Sequence, residues 1–304
     1  MQPAALHDAW DHGVRTAAFE WLRQQVDRHG SVLPRQTLAA GFEHQGARVP
    51  LVGPQGIFKP RLLELPLSIT TVHDGPYDDR LDDDGVLSYR YRGADPNHRD
   101  NVGLRLCMQR RVPLVYLYGV AKGRYLATWP VFIVGDRPES LTFSVQVDDP
   151  GLAGAPDHRV SEQDEGRRRY LTIAARRRLH QAGFRERVLV AYREQCAVCR
   201  LRHRQLLESA HIVPDTEPRG DPIVPNGLAL CRLHHTAYDR LLIGIRPDCV
   251  VEVRHEILEE IDGPMLVHGL QEAHLARLEL PRSARERPDP ERLAWRYRRF
   301  LGAA

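Results

Sequence analysis

The residues with the most chemical content fall in one stretch, YREQCAVCRLRHRQLLESAHIVPDTEPRGDPIVPNGLALCRLHHTAYDRLLIGI, residues 192–245. Cys196-x2-Cys199 is a knuckle whose two thiolates can hold one face of a tetrahedral zinc ion. Thirty-one residues separate it from Cys231-x2-His234, which can supply the other two ligands. The competing reading is a set of buried thiols beside surface histidines, and the paired spacing favours zinc. His211, Asn226 and His235 have no place in that tetrahedral shell. An imidazole titrates near neutrality, so His211 suits a general base once its tautomer is fixed. The Asn226 amide can tie its own loop to the strand of His211. His235 follows a zinc ligand directly, at the start of the predicted helix HHTAYDRLL, so a bound zinc would aim it at a second ion, Mg2+ or Mn2+.

Here the sequence resembles the HNH endonucleases, in the branch similar to modification-dependent restriction nucleases of the McrA type. The resemblance covers about sixty residues, between about Val188 and Ile245. The family's first histidine corresponds to His211 in SAHI, its asparagine to Asn226 in PNGLAL and its final histidine to His235 in CRLHH. Its structural zinc ligands correspond to Cys196, Cys199 and Cys231, and His234 stands where many relatives have a fourth cysteine. The resemblance implies a ββα fold and metal-dependent hydrolysis of DNA. That chemistry needs a deprotonated water, neutralised phosphoryl charge and a protonated leaving oxygen.

One position departs from the pattern. Many such enzymes carry an aspartate or histidine as a metal ligand just before the base histidine, and this chain has Ala210. Asp239 lies four residues after His235, one turn along the same helical face, and can complete a site for a hard cation. Its other reading is a helix-face salt bridge or a loop anchor. Glu208 lies three residues before His211, and strand parity points it to the opposite face from that histidine, which favours Asp239. Tyr238 reads as packing. Ala210 also leaves open a zinc-stabilised DNA binder that cuts poorly.

The middle of the chain reads as the element that delivers this module. From Leu62 to Val147 short runs such as LSITTV, VLSYRYRG, PLVYLYGVAKGRYLATWPVFIVGD and LTFSVQV have strand length and are broken by Gly, Asp and Pro. Residues 101–110 read as a helix among them, and a compact, largely antiparallel barrel is the expected product. The string YDDRLDDDGVLSYRYRG, residues 77–93, resembles the YDG signature of SRA domains, β-barrels that flip a modified cytosine out of duplex DNA. The resemblance implies a base pocket with Tyr77 as one ring, Tyr89 or Tyr91 as the second, and Asp79 or Asp82 as the carboxylate. Asn101 and Arg105 could then contact the backbone or fill the vacated space. The plainer reading makes the Asp-rich segment an exposed loop and the tyrosines barrel packing.

The rest of the chain frames these two modules. Its apolar fraction of 42% suffices for packed cores, and the net charge of +3 identifies no partner. The distribution says more: six Asp fall between Asp74 and Asp84, and six Arg between Arg167 and Arg178. The five cysteines, three of them clustered with histidines, argue for metal binding over a disulfide scaffold. The N-terminus lacks signal-peptide features and no run reaches the length of a spanning helix, so a soluble cytoplasmic protein with no membrane partner is expected.

The expected layout is a helical or winged-helix-like segment 1–55, an SRA/PUA-like barrel 56–150, a linker and basic connector 151–180, the HNH domain 181–260 and a basic extension 261–304. The fold class is α+β. The expected function is hydrolysis of double-stranded DNA near modified cytosine, by a monomer or a homodimer. The alternatives are an HNH nuclease reading phosphorothioate or unmodified DNA, and a non-catalytic zinc-stabilised regulator.

Overall fold

The computed structural model describes residues 3–71, 87–147 and 162–303; of residues 3–8, 162–169, 173 and 175–180 it describes the backbone alone. The chain is mixed α+β and divides into two compact units, residues 1–182 and 183–304.

The first unit opens with helix α1 (Pro3–His29), strand β1 (Val32–Pro34) and helix α2 (Arg35–Ala40). A hairpin follows, β2 (Phe42–His44) and β3 (Ala47–Val49), and then β4 (Ile57–Phe58), β5 (Ser68–Thr71) and β6 (Leu87–Arg90). Helix α3 (Arg99–Gln109) precedes three longer strands, β7 (Leu114–Ala121), β8 (Arg124–Arg137) and β9 (Thr142–Val147). Seven of these strands form one sheet in the order β4-β5-β7-β8-β9-β6, with β1 also paired to β8. All the pairings are antiparallel except β5 with β7, which is parallel.

Alternation along β7 explains how this sheet is buried on both sides. Leu114, Tyr116 and Val120 join Leu104 and Cys107 of α3 in one core. Val115 and Leu117 join Val14, Ala18, Phe19 and Leu22 of α1 in another. The apolar spacing in α1 is that of a helix laid on a sheet. Buried Arg15 fastens it: its guanidinium donates to the carbonyls of Pro66 at 2.8 Å and Pro113 at 2.9 Å and pairs with Asp11. Residues 151–161 of the expected linker and connector lie outside the described residues; from Glu162 the backbone is helix α4 (Glu162–Ala191).

The second unit begins within α4. It contains β10 (Leu207–His211), β11 (Gly227–Cys231), α5 (Arg232–Asp239), β12 (Ile243–Ile245), β13 (Val251–Val253), α6 (His255–Glu259), α7 (Pro264–Gly269) and α8 (Pro290–Leu301). Strands β10 and β11 pair antiparallel from Leu207↔Cys231 to His211↔Gly227, and α5 starts directly after Cys231. This is the ββα order. Its core joins Phe184 and Val188 of α4, and Tyr192 just after it, to Leu207, Leu228, Leu230, Ala237 and Tyr238. Leu270, Ala273, Leu278 and Leu293, from the C-terminal 261–304 stretch, belong to the same core. Buried Glu186 of α4 pairs with Arg204, and Arg185 donates to the Leu207 carbonyl at 2.8 Å, so α4 is tied to the start of β10. Among the described residues no helix is long and apolar enough to cross a membrane.

Candidate active site and metal centre

Cys196, Cys199, Cys231 and His234 present one ligand atom each, all within 4.8 Å of one another. The knuckle is shaped by its backbone: the Arg200 amide donates to the Cys196 carbonyl at 3.0 Å with Arg200 at φ 62°, and the Ala197 amide reaches the Ala229 carbonyl at 2.7 Å. This second bond pins the knuckle to β11, whose last residue is Cys231. His234 lies in the first turn of α5. The Cys199 and Cys231 sulfurs are 3.8 Å apart, far beyond a disulfide, and Cys196 Sγ lies 3.7 Å from His234 Nδ1. Zinc–sulfur bonds of about 2.3 Å at tetrahedral angles give sulfur–sulfur edges of about 3.8 Å. Hydrogen bonds from Cys199 and then Cys231 push the Cys196 thiol down, and those from Cys196 and then Cys199 push the Cys231 thiol up, so the clustered thiols share protons. These four side chains could hold a metal ion. They are the only such group of three or more found among the described residues.

His211 ends β10. Its ring lies on Phe184 of α4, centroids 4.1 Å apart and planes 19° apart. Glycine at 227 makes this possible: a Cβ there would meet Val188 Cγ2 at 2.4 Å and Phe184 Cζ at 2.9 Å. Nε2 of His211 is buried and makes no hydrogen bond, which leaves Nδ1 as the nitrogen open to a small reactant. Burial holds the imidazole below its ordinary 6.5, so it is neutral at physiological pH; Asp215 and Asp239 act against that shift and His235 with it.

Asn226 is fully buried and spends its amide on the chain just beyond His211. Its Oδ1 accepts from the Val213 amide at 2.9 Å, and its Nδ2 donates to the carbonyls of Val213 at 2.9 Å and Asp221 at 3.0 Å. The Ile212 amide donates to the Asn226 carbonyl at 2.9 Å. Both ends of the loop that joins β10 to β11 are thereby closed. Arg292 of α8 supports the same loop through Asp221 at 3.0 Å and the Arg219 carbonyl.

His235 and Asp239 share the open face of α5, while His234, Ala237 and Tyr238 face inward. His235 Nε2 lies 3.2 Å from Asp239 Oδ2, and its Nδ1 lies 2.5 Å from Glu208 Oε2. Parity on β10 does separate Glu208 from His211. It also puts Glu208 on the strand face of Ala210, and α5 carries His235 to it. The signal in the sequence was therefore parity with position 210, not with position 211. Phe184, Gly227 and Arg296 were also not singled out by sequence reasoning. Arg296 of α8 donates to the Tyr238 carbonyl at 2.9 Å and the Asp239 carbonyl at 3.3 Å, and its guanidinium sits 4.9 Å above the Tyr238 ring.

In the first unit, Tyr77, Asp79 and Asp82 lie outside the described residues. Tyr89 and Tyr91 are buried in the core against the sheet. Tyr91 packs on Phe143 with ring centroids 4.5 Å apart and planes tilted by 32°, and its hydroxyl bonds Asp136, which Arg105 also grips at 2.5 Å. Asn101, fully buried, holds the Arg92 amide at 2.8 Å and the Asp95 carbonyl at 2.8 Å. Asn101 and Arg105 are thus committed to internal contacts. A cavity of about 1020 Å³ opens elsewhere in this unit, with Phe58, Leu65 and Leu106 in its wall beside Arg48, Lys59 and Arg61.

No curated protein matches the sequence. A solved structure titled "Modification dependent TagI restriction endonuclease" is similar at 16% identity over 76% of this chain and 80% of that one, with a TM-score of 0.27. Residues 196–246 match the HNH endonuclease family, and the Cys196/Cys199 and Cys231/His234 pairs, His211, Asn226, His235 and Asp239 all fall inside the match. The chain carries an HNH endonuclease domain.

Proposed function

We propose that this protein is a metal-dependent endonuclease that hydrolyses DNA near a modified base, with residues of the first unit reading the modification. The observation that carries the nuclease half is the arrangement of a neutral, open-edged His211, held by Phe184 and by the Asn226 clamp, in a unit that also presents His235 and Asp239 on α5. His211 accepts the proton of the attacking water at Nδ1. Asn226 fixes the loop and the strand end that carry His211, so it positions and does not react. Cys196, Cys199, Cys231 and His234 hold a structural Zn2+ that locks α5 to the hairpin. His235 and Asp239 hold a Mg2+ or Mn2+ ion, which when bound neutralises charge on the phosphate.

For the reader, the YDG-like string 77–93 supports modified cytosine as the mark, methylated or hydroxymethylated, with Tyr77 and Asp79 or Asp82 as base contacts. Tyr89 and Tyr91, near that string's end, are themselves buried in the core. One observation favours a second mark. A cavity with apolar walls and cations such as Arg48, Lys59 and Arg61 suits a backbone sulfur, as in phosphorothioate DNA. A single nuclease unit cuts one strand, so a double-strand break calls for a dimer or for two independent visits.

The test is incubation with Mg2+ or Mn2+ and matched duplexes: unmodified, methylated, hydroxymethylated and phosphorothioated. Strand-resolved products should show cutting that depends on a cytosine mark and is abolished in His211→Ala, with zinc and DNA binding kept. Equal cutting of all four duplexes would remove the reader. Indifference to His211→Ala would leave a zinc-stabilised DNA binder.

A further inference from the structure

The two carboxylates that touch His235 take opposite nitrogens of the ring, at different distances. Two ligand atoms at about 2.1 Å from one octahedral ion, at right angles, lie about 3.0 Å apart. The 3.2 Å between His235 Nε2 and Asp239 Oδ2 is close to such an edge. The 2.5 Å between His235 Nδ1 and Glu208 Oε2 is too short for one and lies on the short side of a charge-assisted hydrogen bond, about 2.7–2.9 Å. Glu208 is itself held: its other oxygen lies 3.3 Å from Arg232 Nε, and its backbone sits opposite Leu230, one residue before the zinc-cluster residue Cys231. Asp239 is steadied from the far side by Arg296, 3.9 Å away. On the β10 face that Glu208 shares with Ala210, the buried methyl of Ala210 offers no donor of its own.

We propose that Glu208 is a positioning residue for the divalent-ion seat: it accepts the Nδ1 proton of His235 and so presents the Nε2 lone pair beside Asp239 as an adjacent ligand pair. The inference rests on the reading of His235 as an ion ligand. A histidine ligand whose other ring nitrogen is bonded to a carboxylate has its tautomer and orientation fixed, and removal of such a partner typically costs 10–100-fold in metal affinity. Glu208 is thereby distinct from the zinc cluster, which sets where α5 lies, and from Asp239, which meets the ion directly.

The experiment is Mn2+ titration of the zinc-loaded full chain, read by the EPR signal of free Mn2+, for wild type, Glu208→Ala, Glu208→Gln, Asp239→Asn and His235→Ala. Zinc content and melting temperature establish that each variant is folded. Glu208→Ala is expected to weaken Mn2+ binding about 10–100-fold. Glu208→Gln, whose amide oxygen still accepts from Nδ1, is expected to stay within about threefold of wild type. Nitrogen-15 NMR of the metal-free protein should show His235 protonated at Nδ1 in wild type and Glu208→Gln, and mixed tautomers in Glu208→Ala. Unchanged Mn2+ affinity in Glu208→Ala, with a loss in His235→Ala, would overturn the proposal alone. Unchanged affinity in His235→Ala would overturn the ligand reading beneath it. A Glu208→Gln loss as large as that of Glu208→Ala would also overturn it, since charge and not orientation would then matter.

Discussion

His211 and Gly227 face each other across the last pair of the β10–β11 hairpin, and the missing side chain at 227 is what lets Phe184 slide beneath the His211 ring. The strand pair, a glycine and helix α4 together set the plane of one imidazole. Gly227→Ala would force Phe184 and Val188 outward, an overpacking strain of about 1–3 kcal/mol. Phe184→Leu keeps most of the apolar volume and loses the flat support. Both should lower kcat on a cleavable duplex by roughly tenfold or more, because small misplacements of a reacting group are costly. Zinc content should not change. Wild-type kcat in Phe184→Leu would mean the stack merely fills space.

The pH dependence follows from the same burial. The folded pKa of His211 lies below its ordinary 6.5 because desolvation penalises the charged ring. The sign is that of a depressed group: the neutral ring is favoured in the folded state, so this part of the stability is complete above pH 6.5 and is lost as pH falls through the lower, folded value. Activity that needs the free base should follow the same limb. The acid arm of kcat/KM should therefore lie below pH 6.5. Phe184→Leu, by admitting water to the ring, should move it back toward 6.5. An acid arm above 6.5 in the wild type would contradict His211 as the buried base.

Asn226→Ala separates positioning from chemistry. The change leaves the Val213 amide, the Val213 carbonyl and the Asp221 carbonyl without their partner, at about 1–3 kcal/mol for each group that stays buried and unpaired. The expected result is a lower melting temperature together with a fall in kcat, and little change in DNA affinity. A variant that melts like wild type would show the clamp to be dispensable.

Much of this site is legible in the sequence because its signals are local. Two ligand pairs at fixed spacing, a histidine directly after one of them and a carboxylate one helical turn later need no tertiary knowledge. The strands and helix of the first unit are similarly visible, since alternation in PLVYLYGVA and the spacing of Val14, Ala18 and Leu22 state which faces are buried. What escaped is long-range. Phe184 reaches His211 from 27 residues away only because α4 folds over Gly227, and nothing in FRERVLVAY marks it. Parity on β10 separates Glu208 from His211 and carries no information about where α5 falls. The pairings are largely antiparallel as expected, but which pair is parallel was not legible: helix α3 lies between β5 and β7 in the chain, a crossover that strand periodicity does not report.

Removal of zinc should act on folding before it acts on chemistry. The cluster joins the knuckle after α4 to the junction of β11 and α5, and structural zinc of this kind contributes on the order of 10 kcal/mol. Dialysis against a strong chelator, or Cys231→Ala, should open the second unit to proteolysis at sites after residue 183 while fragments of the first unit persist. Retention of a protease-resistant second unit without zinc would show that the apolar core around Leu228 and Leu230 suffices.

The C-terminal helix offers the last test, because its arginines could serve the fold or the substrate. Arg296 is nearly buried, caps two carbonyls at the end of α5 and covers Tyr238, which is the favourable place for a cation at a helix C-terminus. Arg299 is half exposed, lies 3.9 Å over Trp295 and pairs with Glu217 at 2.9 Å. Arg296→Met keeps the stem and removes the donors, so it should lower stability by about 1–3 kcal/mol and weaken Mn2+ binding, since Asp239 loses its support. Arg299→Ala should leave stability within about 0.5 kcal/mol and Mn2+ affinity unchanged, as expected of an exposed pair. If the two variants instead showed the same loss of DNA affinity and no loss of stability, α8 would be a DNA-facing element and Asp239 would owe its position to α5 alone.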